Sequence, residues 1–203
     1  MIIKVCGMRD EDNIRQLEQL DIDWMGFIFY SESPRFVGPK LSYLPKKVKK
    51  IGVFVDQIPQ IISERAKQNH LNIIQLHGSE PPWYCINLQE EGYKIIKSFG
   101  IDPDGFIPNA QLNAYEGKCD YFLFDTKTKL HGGSGKKFNW ERLADYDGDT
   151  PFILSGGISP EDAEEIKSFK HPKFAGIDIN SRFEIEPAYK DIEMIKSFIK
   201  QIR

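Results

Sequence analysis

The chain has 203 residues, 40% of them hydrophobic and 28% charged, which supplies one sizeable core and lies far from the apolar-poor composition of a disordered protein. A formal net charge of −3 and a pI near 5.9 exclude diffuse attraction to nucleic acid or to an anionic membrane surface, so any anion must be held locally. The run Met1 to Cys6 is too short for a signal peptide and no stretch approaches the ~20 apolar residues of a membrane span, so a cytoplasmic protein is expected.

No linker or composition shift divides the chain, which reads as a single domain over residues 1–203. Strand candidates are Ile2 to Cys6, Trp24 to Phe29, Ile51 to Val55, Ile73 to Leu76, Lys94 to Phe99, Tyr121 to Phe124, Phe152 to Leu154 and Phe174 to Ile179. Each is short and mostly apolar, as expected of strands buried on both faces. Between them the spacing predicts helices over Glu11 to Leu20, Ile58 to Asn69, Pro82 to Glu91 and Asn139 to Tyr146. Ser159-Pro160-Glu161-Asp162 opens another, with a capping serine, proline at the first helical position and early acids. The last helix carries Ile192, Ile195, Phe198, Ile199 and Ile202 on one stripe, which reads as packing against the sheet.

Eight strand-then-helix units predict an α/β fold, a (β/α)8 barrel of eight parallel strands with its active site at the C-terminal strand ends. A doubly wound open sheet is the alternative. Its GxGxxG fingerprint is missing, since Cys6-Gly7-Met8-Arg9 occupies the turn after the first strand.

Strand alternation puts Cys6 on one face with Lys4, Asp125 with Leu123 and Tyr121, and Asp178 with Gly176. If those faces point inward, a thiol, two carboxylates and an ammonium converge. Position alone leaves Cys6 open between a reactive thiol at a strand end and an inert buried one; Cys85 and Cys119 read as inert. Three widely spaced cysteines suggest neither a disulfide framework nor a zinc site. Asp125 is followed by a long loop rather than a helix, which weakens its reading as a cap. Asp178 reads chiefly as the neutralising partner of a buried Lys4.

Gly132-Gly133-Ser134-Gly135, Ser155-Gly156-Gly157 and Asn180-Ser181-Arg182 follow strands six, seven and eight, where barrels commonly bind phosphate through backbone N–H groups. In Ser33-Pro34-Arg35 a proline stiffens the approach to an arginine suited to a carboxylate. Gln75-Leu76-His77-Gly78 ends strand four with two polar side chains on one face, His77 reading as a ligand-facing donor.

These segments resemble the phosphoribosylanthranilate isomerase family nearly end to end. The resemblance rests on Lys4-Val5-Cys6-Gly7-Met8-Arg9, Gly26-Phe27-Ile28-Phe29, Ser33-Pro34-Arg35, Gly52-Val53-Phe54-Val55 and Gln75-Leu76-His77-Gly78. It continues through Phe124-Asp125-Thr126, Gly132-Gly133-Ser134-Gly135, Phe138-Asn139-Trp140 and Leu154-Ser155-Gly156-Gly157. It implies an Amadori rearrangement of N-(5′-phosphoribosyl)anthranilate to the 1-deoxyribulose isomer in tryptophan biosynthesis, with no metal or organic cofactor. It also implies a small phosphoribosyl substrate as partner, and a monomer or homodimer. By resemblance Cys6 is the general base, partly thiolate beside Lys4, and Asp125 the general acid. Arg35 would hold the anthranilate carboxylate, and Gly133, Ser134, Gly135, Gly156, Gly157 and Ser181 the phosphate, with Lys4, Gln75, His77 and Asp178 in support.

One segment departs from the family pattern of Ser-Gly after strand eight and glycine before Lys-Asp. This chain reads Asn180-Ser181-Arg182-Phe183-Glu184 and Pro187-Ala188-Tyr189-Lys190-Asp191, from which Arg182 is expected to supplement phosphate binding. Rival readings are the histidine-pathway phosphoribosyl isomerase, which has aspartate where Cys6 stands, a metal-dependent sugar-phosphate epimerase, and a non-catalytic phosphate-binding barrel. Of the four histidines only His77 is placed for the metal site an epimerase needs.

Overall fold

The computed structural model describes residues 1–127 and 137–203. Eight parallel strands close into a barrel in sequence order. They are β1 (Ile2–Val5), β2 (Trp24–Ile28), β3 (Lys49–Phe54), β4 (Ile73–Leu76), β5 (Lys94–Ile101), β6 (Tyr121–Thr126), β7 (Phe152–Leu154) and β8 (Phe174–Ile179). Closure falls between β1 and β8, whose register sets Lys4 beside Asp178. Inside, Trp24, Ile51, Ile73, Ile96, Leu123 and Ile153 pack into one cluster, so the barrel is a filled core rather than a pore.

The outer ring is made of α1 (Glu11–Leu17), α2 (Pro59–Gln68), α3 (Pro82–Glu90), α4 (Asn109–Asn113), α5 (Ala163–Ser168) and α6 (Ile192–Ile202). α6 starts at Asp191, whose carboxylate accepts from Met194 N–H at 2.9 Å. Its Ile195, Phe198, Ile199 and Ile202 are buried, with the Phe198 ring 4.9 Å from Phe183.

Two connections differ from the expected strand-then-helix repeat. No helix joins β2 to β3; residues 29–48 run as turns and extended chain. Pro34, Pro39 and Pro45 remove helical N–H donors at intervals shorter than two turns, and Gly38 adopts φ +76°. After β6 the expected helix is a 3-10 turn, Trp140–Asp145, capped by Asn139. A further 3-10 turn, Pro160–Asp162, leads into α5, with the Asp162 carboxylate accepting from Ser159 N–H at 2.7 Å. After β8 comes a third, Ser181–Phe183, followed by a small antiparallel ribbon of β9 (Glu184–Glu186) and β10 (Tyr189–Lys190).

Candidate active site

A cavity opens at the C-terminal end of the barrel, where Cys6, Gln75, His77, Asp125 and Asp178 reach it from the ends of four strands, β1, β4, β6 and β8. Arg35, Ser155, Gly156, Gly157, Asn180 and Ser181 complete its rim. Cys6 follows β1 directly and its N–H bonds to Ile179 O at 2.9 Å, which anchors it to the closing strand. Opposite it on β2, a Cβ built on Gly26 would lie 2.7 Å from Cys6 Sγ, so the absent side chain there makes room for the thiol.

Lys4 Nζ donates to Asp178 Oδ2 at 2.6 Å, both groups being almost wholly buried. Burial works against the Lys4 charge, but Asp178 and Cys6 together outweigh it and hold its pKa above the ordinary lysine value. For Cys6 the balance goes the other way. Burial pushes the thiol up, Lys4 only partly offsets this, and Asp178 adds to the rise. The expectation that Lys4 keeps Cys6 partly ionised is therefore corrected: the lysine is near, but its charge is shared with Asp178, and the resting thiol is held above its usual range.

Asp125 ends β6. Its Oδ1 accepts from Thr126 N–H at 2.8 Å and its Oδ2 lies 3.5 Å from His77 Nε2. Gln75 Nε2 stands 2.9 Å from His77 Nδ1 and 3.2 Å from Ser98 Oγ, so a chain of polar groups runs from β5 through β4 to Asp125. Gly156 after β7 has φ +88°, and a Cβ on it would fall 2.4 Å from Thr126 Oγ1 and 3.0 Å from Asp125 Oδ1. Only glycine lets the β7 turn approach the acid this closely.

Arg35 does reach the cavity, but one edge of its guanidinium is already taken. Nε and Nη2 grip Glu184 at 2.9 and 2.6 Å. Glu184 also accepts from Ala188 N–H at 3.1 Å and from the Lys190 ammonium, which donates in turn to Asn180 Oδ1 at 2.7 Å. Burial opposes ionisation of Glu184, yet Arg35 and Lys190 hold its pKa below the usual carboxylate value. Burial lowers Lys190 to about 8 despite that carboxylate.

Ser155, Gly156, Gly157 and Ser181 line the cavity as a phosphate subsite requires; Gly133, Ser134 and Gly135 lie outside the described residues. Arg182 does not line it. It borders a neighbouring cleft with Lys137, Gly157, Ser159 and Glu161. Cys85 and Cys119 are buried in the outer core, as read from the sequence.

The sequence model of N-(5′-phosphoribosyl)anthranilate (PRA) isomerase matches residues 3–201. The chain belongs to the phosphoribosylanthranilate isomerase family. It is 51% identical over 213 aligned residues to N-(5′-phosphoribosyl)anthranilate isomerase of Parabacteroides distasonis, covering all of this chain and 93% of that one. Its fold matches the crystal structure of phosphoribosyl anthranilate isomerase from Thermotoga maritima at TM-score 0.83 and 31% identity, covering 100% and 98% of the two chains. A third match, at TM-score 0.79 and 28% identity, covers the same shares and is the isomerase in complex with reduced 1-(o-carboxyphenylamino)-1-deoxyribulose 5-phosphate. As a member of this family the protein is an isomerase of tryptophan biosynthesis.

In the segment that departs from the family pattern, Ala188 keeps a left-handed backbone with φ +72°. Glu184 and Lys190 were not recognised from sequence as parts of the site. A Lys-Asp pair ahead of a helix reads as a surface lysine and a cap, and nothing local marks Lys190 as buried. Ser98 is not marked by the sequence because it stands beside Lys97 in the middle of β5, and two adjacent polar residues in a strand do not say which of them faces the cavity side.

Proposed function

We propose that the isomerase works through Cys6 as general base and Asp125 as general acid. The observation that carries this is their convergence in one cavity from β1 and β6, each cleared by a glycine, with Arg35 at one side of the rim and the β7 and β8 turns at the other. Asp125, carrying a proton, gives it to the furanose ring oxygen. The C1–O bond breaks, the arylamine nitrogen lone pair forms a C1=N iminium, and Asp125 is left as carboxylate. The iminium acidifies the hydrogen on C2, which the Cys6 thiolate removes; that electron pair becomes the C1=C2 bond of an enolamine. Protonation at C1 and loss of the C2 hydroxyl proton give the ketone, so the change is an isomerisation with no net redox partner.

Because Cys6 rests above its ordinary pKa, the thiolate must be favoured when the cationic iminium forms beside it and when Lys4 answers the new charge. Arg35 presents the edge of its guanidinium not held by Glu184 to the anthranilate carboxylate. The turns Ser155-Gly156-Gly157 and Asn180-Ser181 receive the phosphate, and Arg182 stands in the adjoining cleft, which shares Gly157 with the cavity.

The test is consumption of freshly generated N-(5′-phosphoribosyl)anthranilate, followed by loss of its fluorescence, with Cys6→Ser and Asp125→Asn alongside wild type. Turnover with losses of roughly 10²–10⁴-fold in each variant is expected. Variants that fold and turn over within a few-fold of wild type would reject the assignment.

A further inference from the structure

Glu184 has a second cation beside it, and the mechanism above leaves that cation unused. Lys190 stands on β10 opposite Glu184 of β9, is 1% exposed and does not line the cavity. Asn13 of α1 fixes its main chain on both sides, accepting from Lys190 N–H at 2.8 Å and donating to its carbonyl oxygen at 2.9 Å. The Lys190 ammonium donates to Glu184 Oε1 and to Asn180 Oδ1, the second at 2.7 Å, and lies 3.4 Å from Asn180 O. Those acceptors account for the three hydrogens of an ammonium, so Lys190 touches no ligand itself. Burying a lysine is costly unless its charge has a use, and the use here is set by its neighbours. Glu184 grips Arg35 Nε and Nη2 at 2.9 and 2.6 Å, but a carboxylate held that close also cancels the guanidinium charge. Arg35 and Glu184 alone form a neutral pair. With Lys190 on the same carboxylate the three carry one surplus positive charge, and Arg35 is the member that lines the cavity.

Resting on the assignment of Arg35 to the anthranilate carboxylate, we infer that Lys190 is a positioning residue for that carboxylate: it neutralises Glu184, so that Arg35 is held in place without losing its charge to the residue that holds it. The arrangement has a pH dependence with a definite sign. The charged or titratable groups acting on Lys190 are Glu184 on β9, Arg35 after β2 and Cys6 at the end of β1; from α1 and the β8 turn it meets Asn13 and Asn180, which do not titrate. Burial lowers Lys190 to about 8 even beside Glu184. A ligand carboxylate on Arg35 brings a second anion to the cluster and favours the protonated lysine, so Lys190 keeps its proton to higher pH in the complex than in the free enzyme. By linkage, the affinity for the carboxylate is full below about pH 8 and declines as pH rises from there.

The experiment is calorimetric binding of reduced 1-(o-carboxyphenylamino)-1-deoxyribulose 5-phosphate, and of its counterpart lacking the ring carboxylate, to wild type and Lys190→Met at pH 7 and pH 9. The ratio of the two affinities is the readout. It cancels what the ligands share, the sugar and phosphate contacts and any general loosening of the cavity. Wild type is expected to prefer the carboxylated compound by roughly 10- to 100-fold at pH 7, and by roughly three- to tenfold less at pH 9. In Lys190→Met the preference at pH 7 should be roughly tenfold smaller than in wild type and the same within about twofold at pH 9. A lysine that merely filled space would leave the ratio independent of pH. A wild-type preference equal at the two pH values, or a Lys190→Met variant that keeps the wild-type preference or its pH response, would overturn the inference; if that variant does not fold, the wild-type comparison decides alone. A wild type with no preference at pH 7 would instead overturn the placement of the carboxylate on Arg35.

Discussion

Replacing Lys4 with methionine removes the partner of Asp178, whose Oδ2 accepts from it at 2.6 Å and whose Oδ1 has no hydrogen-bond partner among the described residues. Methionine fills much of the space of the lysine stem, so the loss is electrostatic: a carboxylate is left buried and unpaired. Breaking a buried pair from one side costs about 3–5 kcal/mol at neutral pH. In a chain of this length that lowers Tm by roughly 6–20 °C, at about 2–4 °C per kcal/mol. The cost depends on pH with a definite sign. Burial already holds the Asp178 pKa above its usual value against the pull of Lys4; without Lys4 it rises further above the unfolded value of about 3.9, so the folded variant binds the proton more tightly than folded wild type does. The variant therefore loses stability as pH rises through that window, and its gap to wild type is widest at neutral pH. Below the folded pKa of Asp178 the gap narrows by up to about 1.4 kcal/mol per pH unit. Urea unfolding at pH 7.5 and pH 5 measures both quantities. The double variant Lys4→Met with Asp178→Leu should recover most of the loss, because it removes the charge as well as its partner. A deficit under about 1 kcal/mol, or a gap equal at the two pH values, would refute the argument.

Variants at three further positions follow from the same geometry. Gly26→Ala places a methyl 2.7 Å from Cys6 Sγ and should lower kcat by roughly 10²-fold, with affinity for the reduced product analogue little changed in calorimetry. Glu184→Gln loosens the grip on Arg35, so KM for phosphoribosylanthranilate should rise roughly tenfold or more while turnover of a substrate lacking the ring carboxylate is unaffected, in steady-state assays. The stability that Glu184 provides comes from a lowered carboxylate pKa, so it is present above about pH 4.3 in wild type and vanishes as pH falls through the folded value; the gap to Glu184→Gln closes with it in acid titration. Ala188→Val puts a β-branched residue at φ +72° and should cost about 1–2 kcal/mol, whereas Ala188→Gly gains at most about 1 kcal/mol because a buried methyl is lost, both read from thermal unfolding.

The strands were legible because residues buried on both faces leave continuous apolar runs, and the rim followed from alternation along them. Cys6, Gln75, His77, Asp125 and Asp178 all stand on the cavity, and Lys4 meets Asp178 because the barrel closes between β1 and β8. Alternation says which face a residue takes. It does not say how two neighbours divide a charge, and so the competition of Asp178 with Cys6 for Lys4 was hidden. The clamp on Arg35 was hidden for another reason: it joins residues 149 positions apart through a two-stranded ribbon too short to leave a period. The segment between β2 and β3 misled in the opposite direction, since the strand-helix rhythm elsewhere implied a helix that its prolines prevent.

The assignment of Cys6 as base is tested most directly by the pH dependence of kcat for wild type and Cys6→Asp, with Cys6→Ala as the blank. A thiol held above its ordinary pKa should make wild-type turnover climb with pH through the neutral range. An aspartate in its place feels the same burial but starts about 5 pH units lower, so its turnover should be slower and should climb at lower pH than the wild type's, and the alanine variant should give none. Identical profiles for wild type and Cys6→Asp, or substantial turnover by Cys6→Ala, would contradict the account.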